Sequence, residues 1–238
     1  MNPLVLVHGF MGGSEQWARQ QAEWSAHRDV IAVDLPGFGK NNHLPVIDTI
    51  GGFADWVIAE LNARGLSRYD LMGHSMGGMI VQEMARRDRA RIDRLVLYST
   101  GAVGVLPGRF ETIDESKARA QSDGVRQTAR RIAATWFLHG EDADGYPACA
   151  TIAEQSADDA VLAGLDAMQS WSGADALGQI TQETLILWGN SDRTYPWGQI
   201  QRLRDGIPST QLAVIPGCAH AVHLEMPELF SAAVLKFL

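Results

Sequence analysis

The chain is poor in cysteine: Cys149 and Cys218 are the two thiols in 238 residues. Two cysteines cannot build a disulfide framework, and these read as separate buried thiols. It also lacks any run of about 18 apolar residues, so no transmembrane helix is expected. Positive charge is not in excess either. Twenty Lys and Arg face 28 Asp and Glu, a formal net charge of −8, which argues against a nucleic-acid partner. Met1-Asn2-Pro3 carries no basic leader, and the Leu-Val-Leu-Val that follows is too short for a signal peptide, so a cytoplasmic protein is expected. There is no Pro/Gly/Ser-rich linker, no repeat and no low-complexity tract. With 46% hydrophobic and 20% charged residues, the chain has an ordinary globular balance.

What is present is a regular alternation. Leu4–Val7, Val30–Val33, Tyr69–Gly73, Leu95–Tyr98, Leu185–Trp188 and Leu212–Ile215 are short apolar runs stopped by turn residues, and each reads as a buried strand. Thr49–Gly65, Met76–Arg87 and Pro227–Phe237 have the pattern of helices. Strands that are apolar throughout and alternate with helices indicate a parallel sheet covered on both faces. The alternation breaks once. Between Thr100 and Thr181 no strong strand occurs, and Lys117–Arg131, Arg131–Leu138, Ala150–Gln155 and Asp158–Ser170 all have helical composition. Residues 102–180 are therefore expected to form a helical cap inserted into a core of residues 1–101 and 181–238.

Gly73-His74-Ser75-Met76-Gly77 fits G-x-S-x-G between a predicted strand and a predicted helix. A serine on so tight a turn stands clear of the backbone at a helix N-terminus, where negative charge is favoured. Its hydroxyl needs a base. Among seven histidines, His220 comes first in the loop after the last predicted strand; His223 reads as a packing or hydrogen-bonding residue. The base needs an orienting carboxylate, and Asp192 follows the fifth strand through Gly189-Asn190-Ser191. Glu225 is the rival, but it reads as opening the last helix. Oxyanion donors are expected from the backbone N–H of Met76 and from that of Phe10 in the loop after the first strand. His8 is expected to hydrogen-bond within that loop and fix its shape.

These pieces together resemble the α/β-hydrolase superfamily, of the small capped bacterial serine-hydrolase type. The matching segments are HGFMGG at 8–13, DLPGFG at 34–39, GHSMGG at 73–78, WGNSD at 188–192 and PGCAHAVHLEMPELF at 216–230. The resemblance implies an α/β-hydrolase fold, with Ser75 as nucleophile, Asp192 as acid and His220 as base, in the chain order Ser–Asp–His. It assigns Asp34 to a structural turn and implies no cofactor. No metal is expected, since His220 and His223 lack a third convergent ligand. Many relatives have a β-hairpin before the HG strand; this chain starts at that strand, so a sheet of about six parallel strands is expected. The HG loop continues with Phe-Met and not with the longer glycine run of the hormone-sensitive-lipase type.

The expected chemistry is acyl transfer to water on a small ester or lactone, with no membrane and no nucleic acid as partner; the oligomeric state is open. A thioesterase, a hydrolase of the C–C bond in a ring-cleavage diketone, and a non-catalytic ligand-binding receptor are the alternatives. Ser75 in place of an aspartate argues against haloalkane dehalogenases and epoxide hydrolases. The pattern through the second half of the cap and on to Trp188 resembles the 3-oxoadipate enol-lactonase-like branch. C–C hydrolases often carry an aromatic after the catalytic histidine, where this chain has Ala221. Trp136, Phe137 and Trp171 are the leading candidates for substrate contact, with Phe110, Tyr146 and Met168 beside them. Arg109, Arg126, Arg130 and Arg131 are candidates to bind a substrate carboxylate.

Overall fold

All six apolar runs are strands in the computed structural model, which describes residues 1–106 and 111–238. In chain order the elements are β1 (Leu4–Val7), α1 (Ala18–Trp24), β2 (Val30–Val33), α2 (Ile50–Ala63), β3 (Tyr69–His74), α3 (Met76–Arg87) and β4 (Ile92–Tyr98). There follow α4 (Ile113–Ala134), α5 (Tyr146–Ala153) and α6 (Asp158–Gln169). The chain closes with β5 (Glu183–Gly189), α7 (Trp197–Gly206), β6 (Thr210–Ile215), α8 (Val222–Glu225) and α9 (Pro227–Phe237). The strands make one parallel sheet in the order β2-β1-β3-β4-β5-β6.

The two-residue period of a strand divides the core in two. Val5, Val7, Leu71, Leu95, Leu97 and Ile186 face one layer, which includes apolar residues of α2, α3 and α7. Leu4, Leu6, Met72, Val96, Leu185 and Leu187 face the other, where Trp24 of α1 and Phe230, Val234 and Phe237 of α9 cover them. Each such side chain contributes roughly 1.5–3 kcal/mol when taken fully from water. Strands buried on both faces cannot alternate apolar with polar, which is why they read as continuous runs.

The chain leaves β1 for β2 on one side and later returns to β3 on the other. Strand order therefore reverses between β1 and β3. Open α/β sheets bind ligands at such a point, outside the carboxyl ends of the strands. The loop His8–Gly13 and Ser75 both lie there.

The helices differ from expectation most clearly in three places. The two runs expected over 117–138 form one element, α4, bent at Gly124, where φ is 77°. Its start is fixed by Thr112, whose hydroxyl accepts the Glu115 N–H while the Glu115 carboxylate accepts the Thr112 N–H. It stops at Ala134, so Trp136, Phe137 and Leu138 are not helical. The helix α7 gave only a short stripe, Trp197, Ile200 and Leu203, and was not expected. Glu225 closes α8 and does not open the last helix, which begins with Pro227. Between β4 and β5 no strand forms among the described residues. The two ends of that segment meet at a bridge between Val103 and Ser172, where Gly173 N–H donates to Ala102 O (2.9 Å) and Gly104 N–H to Trp171 O (3.0 Å).

Candidate active site

The turn from β3 into α3 forces Ser75 to φ 57°, ψ −121°. A non-glycine residue there is strained and must be held by its surroundings. Ser75 N–H donates to Tyr98 O (3.0 Å), and its carbonyl accepts Gly78 N–H (2.8 Å) and the Thr100 hydroxyl (2.7 Å). The flanking glycines are steric requirements. A Cβ on Gly77 would lie 2.3 Å from Val7 O, and one on Gly73 would lie 2.3 Å from Gly77 O. Ser75 is 9% exposed and stands at the start of the twelve-residue α3.

The loop after β1 packs against it: a Cβ on Gly9 would come within 2.9 Å of Ser75 Cβ. His8 shapes this loop, as expected. Its Nδ1 donates to Gly9 O (2.8 Å), and its Nε2 accepts the Leu35 N–H (2.9 Å). Gly12 N–H closes a turn on Gly9 O (3.0 Å). Phe10 N–H finds no acceptor among the described residues. Met76 N–H, first in α3, has no preceding helical carbonyl to meet. Asp34 is a turn residue, accepting the Ser14 N–H and Ser14 hydroxyl, each at 2.7 Å.

At the same carboxyl edge, after β5 and β6, come Asp192 and His220. Asp192 Oδ2 accepts from His220 Nδ1 at 2.9 Å. Its Oδ1 accepts Thr194 N–H (2.8 Å) and Tyr195 N–H (3.1 Å), so the carboxylate is fixed from both oxygens. The Tyr195 ring stacks on the His220 ring at 5.7 Å. Glu225, the rival carboxylate, does not face His220 Nδ1. It accepts Leu138 N–H (2.7 Å) and Ala219 N–H (2.6 Å).

Ser75 and His220 border two adjoining cavities and share both with Phe10 and Trp136. Gln16, His74, Cys149 and His223 are among the other residues lining the smaller one. Leu106, Ile132, Met168, Thr194 and Tyr195 are among those lining the larger. Among the described residues neither lining contains Arg, Lys, Asp or Glu. Of the expected pocket residues, Trp136 and Met168 are therefore at the site. Phe137 is not: it is buried with Tyr146 and Ala221 and borders a separate surface cavity. Neither is Trp171, whose Nε1 donates to Glu83 on α3 at 3.0 Å. Arg126 and Arg130 pair with Glu154, and Arg131 with Glu111. Arg109 and Phe110 lie outside the described residues.

Sequence reasoning missed Cys149, His74 and Gln16 as wall residues. Burial pushes both the Cys149 and Cys218 thiols up to about 12, so they are protonated at neutral pH. His223 Nδ1 meets the Tyr98 hydroxyl at 2.9 Å, a hydrogen-bonding role, although the residue also lines the smaller cavity beside Ser75. His74 Nε2 donates to His220 O (3.2 Å), and Gln16 lies at 3.4 Å from His74 Nδ1. Burial lowers His8, holds His74 well below the ordinary imidazole range and pushes His223 down to about 3.

These three neutral histidines tie stability to pH. An unfolded histidine takes up a proton near pH ~6.5, while the folded ones refuse it until more acid conditions. Below that pH the unfolded state binds more protons, so stability falls as pH falls, by about 1.4 kcal/mol per pH unit for each histidine that stays neutral in the fold. Urea unfolding between pH 7.5 and 5 is expected to show this slope, and His223→Phe to flatten it by one proton. Stability that rises toward pH 5 contradicts the buried neutral state.

A family model described as alpha/beta hydrolase fold matches residues 2–227. A 2-hydroxy-6-oxo-2,4-heptadienoate hydrolase of Pseudomonas putida is 34% identical, covering 100% of this chain and 89% of that protein. An esterase of Thermogutta terrifontis superposes with a TM-score of 0.89 at 26% identity, over 100% of this chain and 89% of that one. An enol-lactonase of Burkholderia xenovorans shares the fold, with a TM-score of 0.90 at 20% identity over 99% of this chain and 90% of that one. The parallel sheet, the strained serine turn and the matched family model lead to one assignment: the chain belongs to the alpha/beta hydrolase fold family, a family of hydrolases acting on small molecules.

Proposed function

We propose that this chain is a cytoplasmic serine hydrolase that cleaves small carboxylic esters or lactones through an acyl-enzyme on Ser75. The observation that carries the reading is the Asp192–His220 pair at 2.9 Å, on a cavity that Ser75 also borders. His220 Nε2 takes the Ser75 proton as Oγ attacks the carbonyl carbon. Asp192 keeps the other nitrogen protonated and the ring in place. The backbone N–H groups of Phe10 and Met76 stabilise the tetrahedral oxyanion, which is where most of the rate comes from in such sites. The intermediate collapses, and His220 gives the proton to the departing alkoxide. Water then repeats the sequence, releasing the acid and restoring Ser75.

Residues 102–180 act as a cap over Ser75 and bound the substrate. The lining without formal charge among the described residues supports an uncharged substrate. Each buried CH₂ contributes about 0.8 kcal/mol, so affinity rises with chain length only until the chain meets a wall. Acetyl to butyryl esters, or small lactones, are therefore expected to exceed palmitoyl esters in kcat/KM, with no activation by a detergent interface. Rates that climb steadily to long chains, or jump at an interface, would make the protein a lipase.

A second reading has its own support. The 34% identical relative is named for a C–C bond substrate, and the same residues suit hydrolysis of a vinylogous diketone. Ala221 after His220 weighs against it. One screen across short esters, lactones, thioesters and such a diketone separates the readings. Preference for the diketone by kcat/KM replaces the ester reading.

A further inference from the structure

We infer that Glu225 is a positioning residue: its carboxylate ties the segment after α4 to the loop that carries His220, so that Trp136 and His220 keep one relation above Ser75. The inference rests on the proposed role of His220 as base.

Two stretches of irregular backbone lie side by side here, 136–138 and 219–221. Neither is in a helix or a strand. Backbone of this kind holds its place only if its polar groups are satisfied by specific partners. Trp136 O accepts two donors, His220 N–H (3.0 Å) and Ala221 N–H (2.9 Å). Glu225 supplies the complementary acceptors. Oε1 receives Leu138 N–H at 2.7 Å and Oε2 receives Ala219 N–H at 2.6 Å. One carboxylate thus reaches two residues past Trp136 on one side and the residue before His220 on the other. The His220 carbonyl is held in turn by the Tyr98 hydroxyl (3.1 Å) and His74 Nε2 (3.2 Å).

Chain geometry explains why this residue can do it. His220 ends a loop that turns at once into α8, and Glu225 N–H bonds back to Ala221 O (3.0 Å). That turn brings the Glu225 side chain back over Ala219, six residues earlier. Hydrogen bonds to an ionised acceptor are short and roughly twice as strong as neutral ones. Both oxygens are committed to amides, so Glu225 acts through the backbone and not on the substrate. Trp136 borders both cavities, so the same lock sets a substrate wall and the base together. A shift of about 1 Å in such a group can cost roughly 10²-fold in rate.

The test compares Glu225→Gln and Glu225→Asp with the wild-type chain. Gln keeps the size, but its NH₂ group turns a donor toward one of the two amides. Asp keeps the charge but is one CH₂ too short to meet both. Glu225→Gln is expected to lower kcat roughly 10²-fold with KM changed by less than about threefold, and Glu225→Asp to fall between. The far-downfield proton resonance of His220 Nδ1–H bonded to Asp192 is expected to weaken or broaden in Glu225→Gln. A residue that only supports the fold would leave that resonance intact in the folded variant. The inference is overturned by an unchanged kcat with the resonance intact, or by a loss carried by KM alone. If Glu225→Gln does not fold, Glu225→Asp reads the same split and the same resonance. Failure of the underlying reading is a separate result: His220→Ala would then turn over normally, whatever Glu225 does.

Discussion

Ser75→Ala is expected to lower kcat by roughly 10⁴- to 10⁶-fold, the range seen when a triad nucleophile is deleted. That corresponds to about 5–8 kcal/mol of lost transition-state stabilisation. The fold should not follow. The change removes one hydroxyl, keeps the Cβ that Gly9 packs against, and leaves the hydrogen bonds of the Ser75 backbone to Tyr98 and Gly78 in place. Stability is expected to move by less than about 1 kcal/mol, or roughly 2–4 °C in Tm for a chain of this size. Steady-state rates on a short ester, beside a thermal melt, measure both. Turnover near wild type in a folded variant removes the acyl-enzyme mechanism.

The second large effect belongs to His220. His220→Ala is expected to cost about as much in kcat as Ser75→Ala, and the double variant little more than either, because triad members act as a unit. Unlike the serine change, it also costs stability. It strips Asp192 Oδ2 of its partner in a site where both side chains are almost wholly buried, and an uncompensated buried charge is costly. His223→Phe is the control. Its ring bonds Tyr98 and packs on Trp17 at 4.6 Å, so the expected loss in kcat is small beside that of His220→Ala. A larger loss from His223 than from His220 would mean that the base is misassigned.

How much of this was legible beforehand depends on the range of the interaction. The strands were, because short apolar runs stopped by turn residues announce themselves within four or five residues: the fully buried Leu4–Val7 and the half-buried edge strand Val30–Val33 both have the bounds read from the chain. Ser75, Asp192 and His220 were legible as neighbours because each lies in the connection that follows a parallel strand, and all such ends lie at one edge of the sheet. Trp136 and Phe137 were not separable. Both are large aromatics adjacent in the chain just past the end of α4, and only the fold shows that Trp136 lines the site while Phe137 packs with Tyr146 and Ala221. Trp171 was misplaced because its partner, Glu83, is 88 positions away in the chain. Glu225 was misread for the same reason: its near neighbours suggest a helix start, whereas its carboxylate is taken up by Leu138 and Ala219. Arg126, Arg130 and Arg131 read as candidates for a substrate carboxylate because their partners, Glu154 and Glu111, stand 20 or more positions away in the chain.

The acyl-enzyme itself gives the most direct test. The protein is mixed with p-nitrophenyl acetate, quenched in acid during the first turnovers, digested and weighed by mass spectrometry. The peptide containing Ser75 is expected to carry one acetyl group, absent from the Ser75→Ala protein and lost on longer incubation as water releases it. Product formed while Ser75 stays unmodified, or an acetyl group found on a different residue, contradicts the account.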